Sequence, residues 1–470
     1  MDMQISSSLP SSPGSEARRK SSMPPMAGYS GFLNRVAMPV YDRLRGRKYS
    51  SLRFFLEESQ WWSPERLVEF QFGELQKLLK VAFDSVPFYQ KKYAEAGVRF
   101  SDIKDISDLK RLPPLERDEI RNHLAELCNP AFSGKLLPHS TGGSSGSPTH
   151  FYRTRESYDW RTASTERSYA WTGATLGQRV LYLWGAPIGK RSFKQQLWAN
   201  LYDGYRRQNK INTLVQPEGF WKDALRQAVD YQPAAIVAYT ANIEEFCKAA
   251  LVAGTKIKSL KSVVAAAEPV YPKLYDTVRD ALGVPLFNTY GSREFMSIAV
   301  ECDEHKGLHI NSENILLEND HDISNSNELL VTDLHNFGMP FIRYRIGDSA
   351  PIDRSPCACG RGHYRLGKID GRIMDLLRTR DGRLVPGELI PHVMKELPEV
   401  LRFQAQQLTL GHVVLRLVLS AELSDRSKNL VHSEMQKAFG EGTAVTIERV
   451  QEIPKQPSGK SRVVIGLEGS

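Results

Sequence analysis

Apolar residues recur near helical spacing from Ser51 to about Ala96, through Phe70, Leu75, Leu78, Leu79, Val81 and Ala82, and Gly97 offers a stop. This pattern predicts helix. A second helical stretch is expected from about Arg155 to Leu176. Short apolar runs follow at Val180–Trp184, Ala234–Tyr239, Ser262–Ala267 and Pro285–Thr289, with helix-like Ala241–Ala253 and Tyr271–Leu282 between them. Strand–helix alternation of this kind predicts an α/β domain with layered, mostly parallel sheets. From Leu308 the helices thin out, and Leu308–Asn311, Glu313–Leu317 and Glu328–Asp333 read as a small antiparallel β-rich part. Beyond Gly371 the texture changes again. A helix is expected at Leu389–Glu396, strands at Leu401–Gln407 and Val413–Ser420, a helix at Asp425–Phe439 and a strand at Thr443–Val450. The expected organisation is a tail over 1–30, a large domain over 31–369 and a small α+β domain over 370–470, with no internal repeat.

Composition narrows the class. A chain of 470 residues is too long for one small core. Its net charge of +8 suits an anionic ligand, but Lys and Arg are scattered rather than clustered, which argues against nucleic acid. No apolar run approaches the roughly 18–20 residues that span a bilayer. The Ser- and Pro-rich first 30 residues lack a signal-peptide pattern. They are expected to be disordered, with a peptide that docks on a partner as the alternative. Five cysteines do not make a disulfide framework in so long a chain. Cys128 and Cys247 read as core residues, and a reducing cytoplasm is the simplest compartment.

Four segments carry candidate chemistry. The run Ser140-Thr141-Gly142-Gly143-Ser144-Ser145-Gly146 lies between a strand at Leu136–His139 and extended Phe151-Tyr152. Its glycines let backbone amides approach phosphate oxygens, and its hydroxyls add uncharged donors. A flexible linker is the alternative. Tyr290-Gly291-Ser292-Arg293-Glu294 follows a short strand, so Tyr290 can stack on a base and Glu294 can hold Mg²⁺ on phosphates. A core tyrosine and a solvated glutamate are the alternatives. Asp348 can accept from both ribose hydroxyls or pair with Arg343 or Arg345, and Arg372 is a ribose contact or a surface charge. Lys460, in the late PKQPSGKSR run, can neutralise charge at a phosphate–carboxylate junction or sit on an exposed tail.

Taken in order and spacing, these segments resemble the adenylate-forming superfamily of acyl-CoA synthetases, adenylation domains and luciferases. AAAEP (Ala265–Pro269), YGSRE, ECDEHKGLHI (Glu301–Ile310), PFIRYRIGD (Pro340–Asp348) and CACGR (Cys357–Arg361) look like its phenylacetate–CoA ligase and capsular-polysaccharide branch. The resemblance implies that a carboxylic acid, expected to be aryl or apolar, attacks the α-phosphate of ATP to give an acyl adenylate. A thiol, expected to be coenzyme A, then takes the acyl group while the small domain rotates. An amine or hydroxyl acceptor is the first alternative, and a non-catalytic nucleotide-binding protein the second. The resemblance also implies that Ser140 to Gly146 hold the phosphates. Glu268, Tyr290, Gly291, Ser292, Asp348 and Arg372 hold the rest of the nucleotide. Glu294 binds Mg²⁺, and Lys460, Glu294 and Thr141 act in catalysis. A homodimer is the assembly considered. Two positions depart from the family pattern. Thr149 follows Pro148 where many members carry a basic residue, and Met374 stands where Asp or Lys is usual.

Cys302-x-x-His305 and Cys357-x-Cys359 supply four soft or borderline ligands in two close pairs, with His309 and His363 as alternates for the nitrogen. Such a set suits a closed structural zinc site. Free surface thiols in two loops that never meet are the alternative.

Overall fold

The computed structural model describes residues 28–140, 149–185, 193–213, 216–320, 327–369, 377–385, 387, 389–394, 396–453 and 463–467. The helical stretch expected over 51–96 is three helices, Tyr49–Ser59, Pro64–Ser85 and Pro87–Glu95. Prolines split it. Pro64 and Pro87 each open a helix, where a missing N–H costs nothing. The Ser63 hydroxyl caps the long helix by accepting from Arg66 N at 3.3 Å. Gly28–Ser30, assigned to the tail by sequence, are helical, and the Ser30 hydroxyl donates to Leu176 O at 2.6 Å. The rest of the expected tail lies outside the described residues.

Strands β1 (Leu137–Ser140) and β2 (His150–Arg153) flank the glycine run as an antiparallel pair. Next come β3 (Val180–Trp184), β4 (Gln208–Asn212), β5 (Ala235–Ala238), β6 (Ser262–Ala265) and β7 (Leu286–Ser292), all parallel. The direction reverses at β8 (Met296–Glu301) and β9 (Leu308–Ile310). β10 (Ile315–Asn319), β11 (Glu328–Asp333) and β12 (Tyr344–Ser349) form a separate antiparallel sheet. β13 (Ile352–Asp353) and β14 (Arg365–Leu366) then complete a nine-stranded sheet of order β13-β14-β9-β8-β7-β6-β5-β3-β4. The large sheet is therefore mixed, with a parallel half and an antiparallel half that meet at β7.

Burial on both faces explains the solid apolar runs of the parallel half. Leu181, Leu183, Ile236, Ala238, Val263 and Ala265 pack with Trp221, Phe246 and Val278 of the covering helices. The alternate residues Val180, Tyr182, Trp184, Val237 and Val264 face the other side. Strand β4 (QNKIN) and the helices Phe193–Tyr205 and Phe220–Tyr231 carry no comparable signal in the sequence reading. β4 is an edge strand, paired only with β3, so most of its side chains stay polar.

The chain from Leu377 builds a core of its own, including Leu389, Phe403, Leu415, Val431, Met435 and Val464. β15 (Leu377–Arg378) and β16 (Leu384–Val385) form a short hairpin. β17 (Val400–Thr409), β18 (His412–Leu419), β19 (Ala444–Arg449) and β20 (Val464–Ile465) form a four-stranded sheet, order β19-β18-β17-β20. The helix Asp425–Phe439 begins at a Ser424 cap. Among the described residues, no helix is long and apolar enough to cross a membrane.

Two fully buried imidazoles make stability depend on pH. Burial holds His363 down to about 4, with Glu313 too weak an offset, and burial also lowers His335, which stacks on Trp160 at 3.7 Å. In the unfolded chain each protonates near about 6.5. Their contribution is therefore full above that pH and is lost as pH falls toward the folded values. Glu318, pushed up to about 7 by burial, works in the opposite sense between its unfolded and folded values. Two imidazoles outweigh one carboxyl, so the urea midpoint is expected to fall between pH 6.5 and 5. A midpoint that rises over that interval contradicts the assignment.

Candidate functional site

The junction of the two halves of the large sheet gathers three of the sequence motifs. Tyr290 lies near the carboxyl end of β7, the last parallel strand, where ligands of open α/β sheets sit. Its hydroxyl donates to Asp348 Oδ2 on β12 at 2.8 Å, joining motifs 58 residues apart. Arg343 and Arg345 are engaged elsewhere. Arg343 lies 3.3 Å from Glu318, and Arg345 pairs with Glu116, Asp320 and Glu328 at 2.7–2.9 Å. The Asp348 carboxylate faces Tyr290.

The backbone around this junction is strained. Ala267, Met296 and Arg343 have φ of +68°, +60° and +50°, a left-handed conformation that costs a non-glycine residue about 1–3 kcal/mol. They stand beside Glu268, opposite Ser292 and four residues before Gly347, respectively. The ladder slips by a bulge between Tyr290 and Gly291. A Cβ on Gly291 would lie 2.1 Å from Met296 O, so only glycine fits. Gly291→Ala is expected to destabilise the fold by about 1–3 kcal/mol through this overpacking. Thermal unfolding reads the loss, and an unchanged midpoint contradicts the requirement.

Glu294 is 4 % exposed and turned inward. Arg117 lies 3.7 Å from its carboxylate, and Tyr344 Oη donates to it at 3.4 Å. Burial works against the Arg117 charge, but Tyr344 and Glu294 more than offset this and leave the guanidinium more basic than usual. Glu294 thus already has a cation near one of its carboxylate oxygens. Glu268 also serves the fold, because its Oε2 accepts from Ala241 N at 3.0 Å at the start of the helix Thr240–Ala253. Ser140 ends β1, and Ser292 Oγ accepts from Phe295 N at 3.3 Å. Thr141, Gly142, Gly143, Ser144, Ser145 and Gly146, together with Arg372 and Lys460, lie outside the described residues.

An open cleft of about 1580 Å³ runs along the sheet face that carries Tyr182 and Trp184, past Tyr169 and Val237, to Arg293 and His392. Trp184 stacks on Tyr239 with centroids 4.1 Å apart. His392, from the C-terminal unit, meets Arg293 with their nitrogens 2.5 Å apart. Arg383 donates to Gln216 Oε1 at 2.9 Å. Neither contact is legible in the sequence, since a lone His in a short helix has no signature.

The comparisons bear on this geometry. The CapK C-terminal domain family matches residues 377–466. A phenylacetate–coenzyme A ligase of Thermus thermophilus is 28% identical over 359 residues, covering 72% of this chain and 77% of its own. A phenylacetate–coenzyme A ligase of Escherichia coli K12 is 26% identical over 427 residues, covering 85% and 95%. These similarities support the phenylacetate–CoA ligase and CapK-like branch of adenylate-forming enzymes as what the chain resembles. A 2-hydroxyisobutyryl-CoA ligase structure, solved with its acyl-AMP and CoA, has the same fold, with TM-score 0.58, 20% identity, and 87% and 91% coverage.

The chain also brings three thiols and an imidazole together. Cys302, Cys357, Cys359 and His309 place their ligand atoms within 4.8 Å of one another. The nitrogen comes from His309, where the sequence reading put His305 first. His305 sits in a tight turn with φ +50°, lies 3.2 Å from Glu301 and packs on Phe287. The register explains the choice. His309 is opposite Val300 on β8, and Cys302 is two residues beyond Val300, so both project from one face of the hairpin. Free surface thiols in loops that never meet are excluded, since Cys302 and Cys357 are buried and 3.8 Å apart.

A buried ionic network, also illegible in the sequence, lies beside this cluster. Arg167 makes two hydrogen bonds of 3.0 Å to Glu313, and both side chains are fully buried. Arg167 also reaches Leu56 O and Asn311 Oδ1 at 3.2 Å. Ser59 Oγ and His363 Nε2 approach Glu313 at 2.5 and 3.1 Å. With several partners in place, Glu313 is held well below the usual carboxylate range despite burial.

Proposed function

We propose that this chain is an AMP-forming acid–thiol ligase with coenzyme A as acceptor and an aryl or apolar carboxylic acid as substrate. The observation that carries the reading is the 2.8 Å link between Tyr290 and Asp348 at the seam of the sheet. It puts an aromatic ring and a carboxylate where one nucleoside would meet both.

In the first step a carboxylate oxygen of the acid bonds to the α-phosphorus of ATP and the bond to pyrophosphate breaks. In the second, the thiol sulfur bonds to the acyl carbon, AMP leaves and the thiol proton is released. The protein's share is orientation and charge neutralisation. Tyr290 packs against adenine, and Asp348 and Arg372 accept and donate at the ribose. Ser140 to Gly146 cradle the phosphates with backbone and hydroxyl donors, and Lys460 neutralises charge as the new bond forms. Magnesium accompanies the phosphates of ATP. Glu294 is its candidate carboxylate, and Arg117, 3.7 Å from one of its oxygens, would share the charge there. The apolar floor of the cleft, Tyr169, Tyr182 and Trp184, supports an aryl or apolar acid.

ATP–pyrophosphate exchange across a panel of carboxylic acids, with and without CoA, tests the reading. Exchange with an aryl or apolar acid, followed by thioester formation with CoA, is expected. Exchange without thioester would move the acceptor to an amine or hydroxyl. No exchange with any acid, by folded protein, would leave only nucleotide binding.

A further inference from the structure

We propose that Cys302, His309, Cys357 and Cys359 hold one zinc ion in a closed, structural site. The proposal stands apart from the ligase reading and does not depend on it. A zinc ion bonded to sulfur at about 2.3 Å and to nitrogen at about 2.0 Å in a tetrahedron separates two sulfurs by about 3.8 Å and a sulfur from the nitrogen by about 3.5 Å. Cys302 Sγ and Cys357 Sγ are 3.8 Å apart, and Cys359 Sγ is 3.3 Å from His309 Nε2. A disulfide would bring two of the sulfurs to about 2.05 Å and leave the third thiol and the imidazole without purpose.

The imidazole is oriented as a ligand needs. His309 Nδ1 lies 3.2 Å from the carbonyl oxygen of His363. A carbonyl only accepts, so Nδ1 carries the proton and the Nε2 lone pair points at the sulfurs. The backbone is shaped to the same end. Gly360, with φ +82°, closes the Cys357–Cys359 turn by donating to Cys357 O at 3.0 Å. Gly307, with φ +100°, turns the chain from Cys302 back into β9, and a Cβ there would meet Leu366 O at 2.7 Å.

Four protein ligands leave no open position, so the ion does no chemistry on a substrate. Its place says what it does. It lies at the end of β8 away from Glu294, six strand residues or about 20 Å off. The loop it pins carries Gly362, whose N donates to Gln60 O at 3.4 Å, and His363, which meets Glu313. The ion thereby ties the N-terminal helices, the buried Arg167–Glu313 pair and the β8–β9 hairpin into one body.

Metal analysis of protein purified without chelator is expected to give one zinc per chain. After exchange into cobalt, the protein is expected to show thiolate-to-cobalt charge transfer and intense tetrahedral d–d bands. Cys359→Ser is expected to weaken metal retention at least 10-fold against a competing chelator, whereas His305→Ala leaves one zinc per chain. Should Cys359→Ser fail to fold, the wild-type zinc content and cobalt spectrum still decide. Folded wild-type protein with far less than one zinc per chain and no cobalt uptake would overturn the site. Loss of zinc from His305→Ala but not from His309→Ala would overturn the ligand set.

Discussion

Lys460→Ala is expected to slow acyl-adenylate formation by about 10²–10³-fold, the scale of removing one preorganised transition-state donor. ATP affinity should change little, because a group that acts only as the new bond forms contributes nothing to ground-state binding. Single-turnover adenylation and equilibrium ATP binding separate the two quantities, and equal losses in both would remove the transition-state role. The sequence alone left an exposed tail as the alternative for this segment. The structure returns the chain to the sheet at once. Val464 pairs in parallel with Ala405, and Val463 and Val464 are buried. Before the segment, Val450 N donates to Leu417 O at 2.9 Å.

Arg167→Met is expected to destabilise the large unit by about 3–5 kcal/mol, since it strands the buried Glu313 carboxylate without its counter-charge. Urea denaturation measures the loss. Arg167 supplies two hydrogen bonds to Glu313 and others to Leu56 O and Asn311. Glu313→Gln in the Arg167→Met background is expected to cost less than Glu313→Gln alone, because the unpaired charge it removes is then itself a penalty. Additive costs would mean that the pair contributes no coupling and that Arg167 acts through packing alone, for instance on Trp171, 4.9 Å from its guanidinium.

These expectations rest on different levels of the protein. The parallel strands are legible because burial on both faces demands unbroken apolar runs, and β3 coincides with the segment expected from pattern. The helix Asp425–Phe439 is equally plain, with its Ser424 cap and regular apolar spacing. The edge strand β4 is not, since half of it faces water and its residues follow no core pattern. The resemblance in motif order brings Tyr290 and Asp348 to one nucleotide, and the structure shows each near the carboxyl end of its strand. Motif order does not show that Glu294 turns inward to Arg117, a residue 177 positions away in sequence.

Alternation, glycine placement and motif order are local, short-range properties, so the sequence by itself determined the α/β class and the main elements of the C-terminal unit. Only the tertiary structure decided that His309 and not His305 joins the three thiols, that Arg345 belongs to Glu116, Asp320 and Glu328, and that Arg167 neutralises Glu313. Each of those choices depends on strand register and on which chain segments pack together. Desolvation makes the choice strict for the ionic pairs, because a charge carried inside must find its partner there or not be buried at all.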